Sequence, residues 1–329
     1  MTSRLAFFPV ALFGSMMGWS GLTLAFYAAH DLLGLTPLVY QTLLVITLVF
    51  FSVLLITYLA KIIKHPTAVK NEFDNPIALH FFPTISIGLL LISLLLQHFV
   101  PQIAEGIWLF AAAMQLVLTI VIMNNWIHHE KWEVVHATPA WFIPVVGNIV
   151  APMGAVAFGY TELGWFFFSI GITFWLVLKA IVLYRLVFHP FLQPQLVPTL
   201  FIFIAPPAMG FLSYVALNNY ALDNFSHVLY YAALFITLLL FAQGRRFMQL
   251  PFAISWWAYT FPLAAMTNAS FMMYELHGSV WFGYISALLI AFTAALILHL
   301  TLKTLVLIKN QQLCVAPKPT QSTPNEQSN

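Results

Sequence analysis

Proline falls inside every second long apolar stretch of this chain and inside none of the stretches between. Reading from the N-terminus, the proline-bearing stretches hold Pro9, then Pro83, then Pro144 and Pro152, then Pro206 and Pro207, then Pro262. Proline removes a backbone donor and presses its ring into the preceding turn, so each of these segments is expected to be bent or locally open. Broken backbone at membrane depth is tolerated only where it packs on protein or faces a water-filled cavity. Five opened helices alternating with five straight ones therefore predict an inner ring around a path and an outer ring facing lipid.

The stretches themselves are approximately 6–30, 38–63, 78–99, 103–127, 139–160, 164–188, 196–217, 225–244, 252–274 and 279–306. Each is close to the roughly 20 residues that cross a bilayer as helix. The chain is 61% hydrophobic and only 7% charged, far below the quarter charged that is usual in soluble domains. The expected fold is an all-α polytopic membrane protein, with ten transmembrane helices arranged as five tandem helical hairpins around a central pore. Residues 1–308 form the membrane domain, and 309–329 are expected to be a disordered cytoplasmic tail rich in Gln, Pro, Ser and Asn. The first stretch is too long for a signal-peptide core and is expected to be retained.

Charge sets the orientation. With ten spans, all twelve Lys and Arg residues fall at the termini, in the even-to-odd loops or in the adjoining halves of spans. The odd-to-even connections carry one acid each: Asp31, Glu105, Glu162, Asp223 and Glu275. Basic residues near span ends stay cytoplasmic, which puts both termini inside and the protein in a plasma membrane, expected to be a bacterial inner membrane. An even number of spans per unit preserves direction, so the hairpins read as parallel repeats. Two inverted five-span halves fit less well, because the proline alternation runs unbroken through the middle.

Small and polar residues also gather on the odd stretches, among them Gly14, Gly18, Ser86 and Asn148. Alone they would signal close helix packing; with the prolines they are read as pore-lining candidates. Phe261, directly before Pro262, lies about ten residues into its span, about 15 Å along a helix and near mid-depth. A large apolar ring beside an opened backbone can shut a narrow conduit by expelling water. Lys179 is the one ionisable residue placed well inside a span, and it is read as a cytoplasmic-side charge that snorkels or packs on the outer ring.

Other chemistries find little support. The run from His128 to His136 is dense in metal-type ligands, but the His-Glu-x-x-His spacing fails because Glu133 stands where the second His would be. No phosphate-cradling glycine loop, paired intramembrane carboxylates or Ser/His/Asp cluster is visible. Cys314 is the only cysteine. No enzyme activity, cofactor, metal or nucleic-acid partner is expected.

The run Tyr184-Arg185-Leu186-Val187-Phe188-His189-Pro190, continuing through Pro198 and Ala205-Pro206-Pro207-Ala208 to Gly210-Phe211-Leu212-Ser213-Tyr214, resembles the slow-type anion channel and tellurite-resistance/dicarboxylate transporter family. Phe82-Pro83-Thr84-Ile85-Ser86, the segment from Trp256 to Pro262, and Phe8-Pro9 with Gly14 and Gly18 are similar too. The resemblance spans about residues 6–306 and implies five hairpins, a central pore lined by odd-numbered helices, and a homotrimer with one pore per subunit. It also implies a gating phenylalanine in the ninth helix, matched here by Phe261. The expected cargo is a small inorganic or organic anion such as chloride or nitrate. The alternative is a proton-coupled carrier or exporter of malate, sulfite or tellurite-related anions. Lys179 departs from the pattern, falling where tellurite-type relatives tend to have an acid. With no Arg or Lys in the odd spans, anion preference is expected to come from helix dipoles, donors such as Ser86 and Asn148, and a basic mouth.

Overall fold

The computed structural model describes residues 4–315, and within them the chain is helical with no strand. The long helices are α1 (Phe13–Leu33), α2 (Pro37–Lys64), α4 (Pro83–Leu96), α5 (Pro101–His128), α6 (Ile143–Ala157), α7 (Thr161–Phe188), α8 (Ala205–Leu217), α9 (Asn224–Ala242), α11 (Thr260–His277) and α12 (Val280–Lys309). Two short helices, α3 (Pro66–Asp74) and α10 (Gly244–Met248), lie in connections.

The prolines work differently from the expectation. Instead of bending continuous helices, most mark where an α-helix begins after a tighter 3-10 lead. Such leads cover Val10–Leu12, Ala78–Phe81, Pro139–Phe142, Pro194–Ile204 and Ile254–Tyr259. Pro83, Pro144, Pro206, Pro207 and Pro262 then fall in the first turn of α4, α6, α8 and α11. A first-turn N–H has no intrahelical acceptor, so proline costs nothing there and its fixed φ suits the helix. Only Pro152 sits in an α-helix interior. All six are buried, while Pro9, ahead of the first lead, is half-buried.

Packing sorts the helices into two layers. α1, α4, α6, α8 and α11 touch in that cyclic order, α11 closing back on α1. Each is followed by an outer partner packed on it: α2 on α1, α5 on α4, α7 on α6, α9 on α8 and α12 on α11. Burial separates the layers. The first four inner spans, taken with their leads, are 67–89% buried, the outer five 28–33%. The chain is an integral membrane protein of five hairpins.

Nine segments are long and apolar enough to cross a membrane by length and composition among the described residues. The expected ninth span, 252–274, which the structure forms as the lead Ile254–Tyr259 and α11 (Thr260–His277), is not one of the nine. Its inward position lets it carry Thr260, Thr267, Asn268 and Ser270, which lower its hydropathy, and its packing between α8 and α1 nonetheless completes the ring.

All helices of one layer run the same way, so their ends define two faces. The basic face holds Lys64, Lys131, Arg185, Arg245, Arg246 and Lys309; the acidic face holds Asp31, Glu105, Glu162, Asp223 and Glu275. The start of the expected tail returns to the basic face, where Arg4 Nη2 donates to Gln311 Oε1 at 2.6 Å. Residues 316–329 lie outside the described part.

Candidate functional site

The ring encloses two cavities. One, of about 50 Å³, opens toward the basic face and is lined from all five inner segments, including Gly14, Thr84, Val146, Ala205 and Ala258. The other, of about 220 Å³, lies toward the acidic face and again draws on all five, with Leu24, Leu91, Met153, Leu212 and Asn268 in its wall. Of the residues lining either chamber, Phe261 alone lines both.

Local sequence explains how the ring comes to be there. The lead Ile254–Tyr259 hands over to α11 at Thr260, so Phe261 is in the first helical turn, where the chain changes from three to 3.6 residues per turn. Opposite it α1 offers glycine. A Cβ built on Gly21 would stand 3.8 Å from Phe261 Cδ2 and 2.7 Å from Ala264 Cβ. One turn earlier, a Cβ on Gly18 would fall 2.1 Å from Thr260 Oγ1. The two glycines let the α1 and α11 backbones approach until the phenyl group, 5% exposed, fills the gap. Among the described residues no aromatic ring stacks on Phe261 to lock its orientation.

The remaining candidates divide. Gly14 and Pro262 line the basic-side chamber, and a side chain on Gly14 would meet open space. Gly18 is an interhelical contact. Ser86 and Asn148 require a correction, because both turn toward α5. Ser86 Oγ donates to Gln115 Oε1 at 2.7 Å, and Asn148 Nδ2 donates to Thr119 Oγ1 and the Pro144 carbonyl at 2.9 Å each. Gln115 Nε2 reaches the same carbonyl at 2.8 Å. These donors satisfy a carbonyl at the proline junction, as buried backbone in a membrane demands, and line neither chamber. Pro9, Pro83, Pro144, Pro152, Pro206 and Pro207 are likewise absent from both walls; they shape the segments instead. Lys179, half-buried on the outer helix α7, lies over the Trp175 ring at 4.9 Å.

Of the polar groups that do face the chambers, nothing in the sequence pattern marks Ser255 or Asn268. Ser255 Oγ is buried beside the basic-side chamber with no hydrogen-bond partner among the described residues. Thr84 lines the same space, its hydroxyl donating to the Phe81 carbonyl at 2.5 Å. Across the phenyl ring, Asn268 donates to the Gly21 and Ala264 carbonyls at 2.9 and 2.7 Å, which leaves its own oxygen over. Tyr27 and Glu275 complete the polar set of the larger chamber. Among the described residues no Lys or Arg lines either space.

Comparison with known proteins agrees with this arrangement. The model of the voltage-dependent anion channel family (SLAC1) matches residues 7–305. The S-type anion channel SLAH2 of Arabidopsis thaliana is 30% identical over 270 residues, covering 80% of this chain and 52% of its own length. The guard cell S-type anion channel SLAC1 of the same plant is 29% identical, with 80% and 48% covered. The chain thus spans about half the length of these plant relatives. A tellurite resistance protein TehA homolog of Haemophilus influenzae is 26% identical, with 90% of each chain covered. Matching from the first inner lead to the last outer helix, the chain belongs to the voltage-dependent anion channel family.

Proposed function

We propose that this protein carries small anions across a membrane through the axis of the ring, with Phe261 as the barrier. The observation that carries the reading is the shared wall: two chambers, each built from all five inner segments, meet at one phenyl ring. The ninth segment, the lead Ile254–Tyr259 with α11, is read as crossing the bilayer with the others, which puts both ends of the described residues on the basic face. The positive-inside rule places that face in the cytoplasm. Family membership supports the anion as cargo and argues for transport over enzyme chemistry.

The physics fits a weakly held, fast-moving ion. An anion in the smaller chamber meets apolar walls, the spare Ser255 hydroxyl and the amino-terminal turns of helices that begin at the proline junctions. These offer partial positive charge without a fixed cation. Conduction needs binding weak enough to release, and the absence of Lys or Arg from both walls supplies that. Phe261→Ala should join the chambers and raise anion current in bilayer recordings of protein that still purifies as wild type. Unchanged conductance would sink the reading.

One observation favours a coupled carrier instead. Glu275 is the one carboxylate that lines either chamber among the described residues. Accumulation of malate or sulfite in liposomes against its own gradient would select the carrier; a reversal potential that follows the anion's Nernst value selects the channel. The family resemblance further supports a homotrimer with one conduit per subunit, which native mass spectrometry of the detergent-solubilised protein would read directly.

A further inference from the structure

The fourth outer helix ends on the basic face between two apolar clefts that the conduction pathway does not use. On one side, a cleft of about 340 Å³ separates α9 from α7 and is walled by Leu183, Phe191, Phe235 and Gln243. On the other, a cleft of about 250 Å³ separates α9 from α12 and includes Gly244, Phe247 and Phe292. Leu240 belongs to both, so the two clefts straddle a single helix end.

At that end the chain turns into α10 and presents Arg245 and Arg246 side by side, both exposed. Neither makes an ion pair among the described residues; the pairs found there are His30 with Asp31 and Lys61 with Glu72. Arg246 is held in place, its guanidinium carbon 4.2 Å from the centre of the Phe191 ring, and that ring is itself part of the α7–α9 cleft wall. A cation–π contact fixes the charge at the rim without neutralising it.

We infer that the α9 end is a binding site for an anionic phospholipid of the cytoplasmic leaflet. Its phosphodiester would sit on Arg245 and Arg246, and its two acyl chains in the clefts on either side of Leu240. Two tails leaving one head group match two clefts leaving one dibasic turn, and two guanidiniums without carboxylates match one phosphate. The leaflet assignment rests on the orientation argued above. The binding itself does not depend on conduction, so a failed F261A experiment leaves it standing.

The test is native mass spectrometry of the purified full chain in detergent, titrated with dioleoyl phosphatidylglycerol or dioleoyl phosphatidylcholine. Wild type should retain the anionic lipid about tenfold better, and the R245Q/R246Q double variant should lose most of that preference. Leu240→Trp, which fills the wall common to both clefts, should lower retention of either lipid while leaving the charges intact. Excess inorganic phosphate should not displace the bound lipid. Equal retention of the two lipids, or retention unchanged in R245Q/R246Q, overturns the proposal. So does displacement by phosphate alone, which would reduce the site to a head-group contact. A shift in subunit number in either variant would show that a second copy of the chain, not lipid, covers the clefts, and would overturn it equally.

Discussion

Lys61 and Glu72 form an ion pair at 2.6 Å between Nζ and Oε2, with the lysine only 2% exposed. The pair also holds the start of the first inner segment. Lys61 donates to the Phe8 carbonyl at 2.8 Å, and Glu72 Oε1 accepts the Val10 N–H at 2.7 Å. Tyr58 adds its hydroxyl to Glu72 Oε2 at 3.0 Å. Because Ala11 and Gly14 line the basic-side chamber just beyond, this cluster sets where the chamber wall begins.

Glu72→Gln would leave a buried ammonium facing a neutral amide. Removing one partner of a buried pair costs about 3–5 kcal/mol, far more than the pair contributes relative to apolar residues of the same volume. The expected result is a large fall in thermal stability in detergent, with Lys61→Met/Glu72→Gln closer to wild type than Glu72→Gln alone. A double-mutant cycle would show this as a strong coupling energy, and additive losses would contradict it.

Ser86→Ala and Asn148→Ala should act on stability, not on anion preference. Both side chains point at Gln115 and Thr119 of α5, away from the chambers. Each substitution strips a buried acceptor of one partner, worth about 1–3 kcal/mol. Relative anion permeability should stay at the wild-type value, whereas Ser255→Ala should change it. A selectivity shift in Asn148→Ala would show that its side chain reaches the pathway.

The layering was legible in the sequence; which way the inner side chains face was not. Alternation of proline marks the inner helices because only protein-buried segments tolerate an opened backbone, and burial of the two layers bears this out. Yet inner segments are buried on every side, so apolar residues surround each helix and no periodicity reports which face meets the axis. That is why the sequence points to Ser86 and Asn148 as pore-lining and does not mark Ser255 or Asn268. The prolines look like kinks in the sequence for a related reason: a 3-10 lead and an α-helix of the same composition form one continuous apolar run. The Lys61 cluster was hidden because it joins residues on either side of the turn at His65 to a backbone N–H 62 positions from Glu72.

Gly18→Ala should separate α1 from α11. The new methyl would meet Thr260 Oγ1 at 2.1 Å and its Cβ at 2.6 Å, and the branched side chain cannot rotate both away. Overpacking of this kind costs about 1–3 kcal/mol. Thr260→Gly on the same background removes both clashing atoms and should recover part of the loss, which a thermal-shift comparison of the single and double variants would read. Absence of recovery would mean that the strain lies elsewhere.

Asp223 predicts a response to acid on the opposite face. It caps α9, accepting the Ser226 N–H at 2.9 Å while its own N–H donates to Ser226 Oγ at 2.9 Å, and the Tyr214 hydroxyl donates to its second oxygen. The Ser226 N–H first, and Tyr214 next, hold the carboxyl below its ordinary value of 3.8. A carboxylate whose folded value is depressed adds stability that is fully present above the unfolded value and fades as pH falls through the folded one. The contribution is therefore intact at neutral pH, begins to fade near 3.8 and is lost as the pH falls through the lower folded value. Asp223→Ala, lacking the cap, should lose about 1 kcal/mol at pH 7. Thermal midpoints of wild type and variant should converge as the medium is acidified below 3.8, and a gap that did not narrow at all with acidification would assign the difference to packing against Tyr214 rather than to the charged cap.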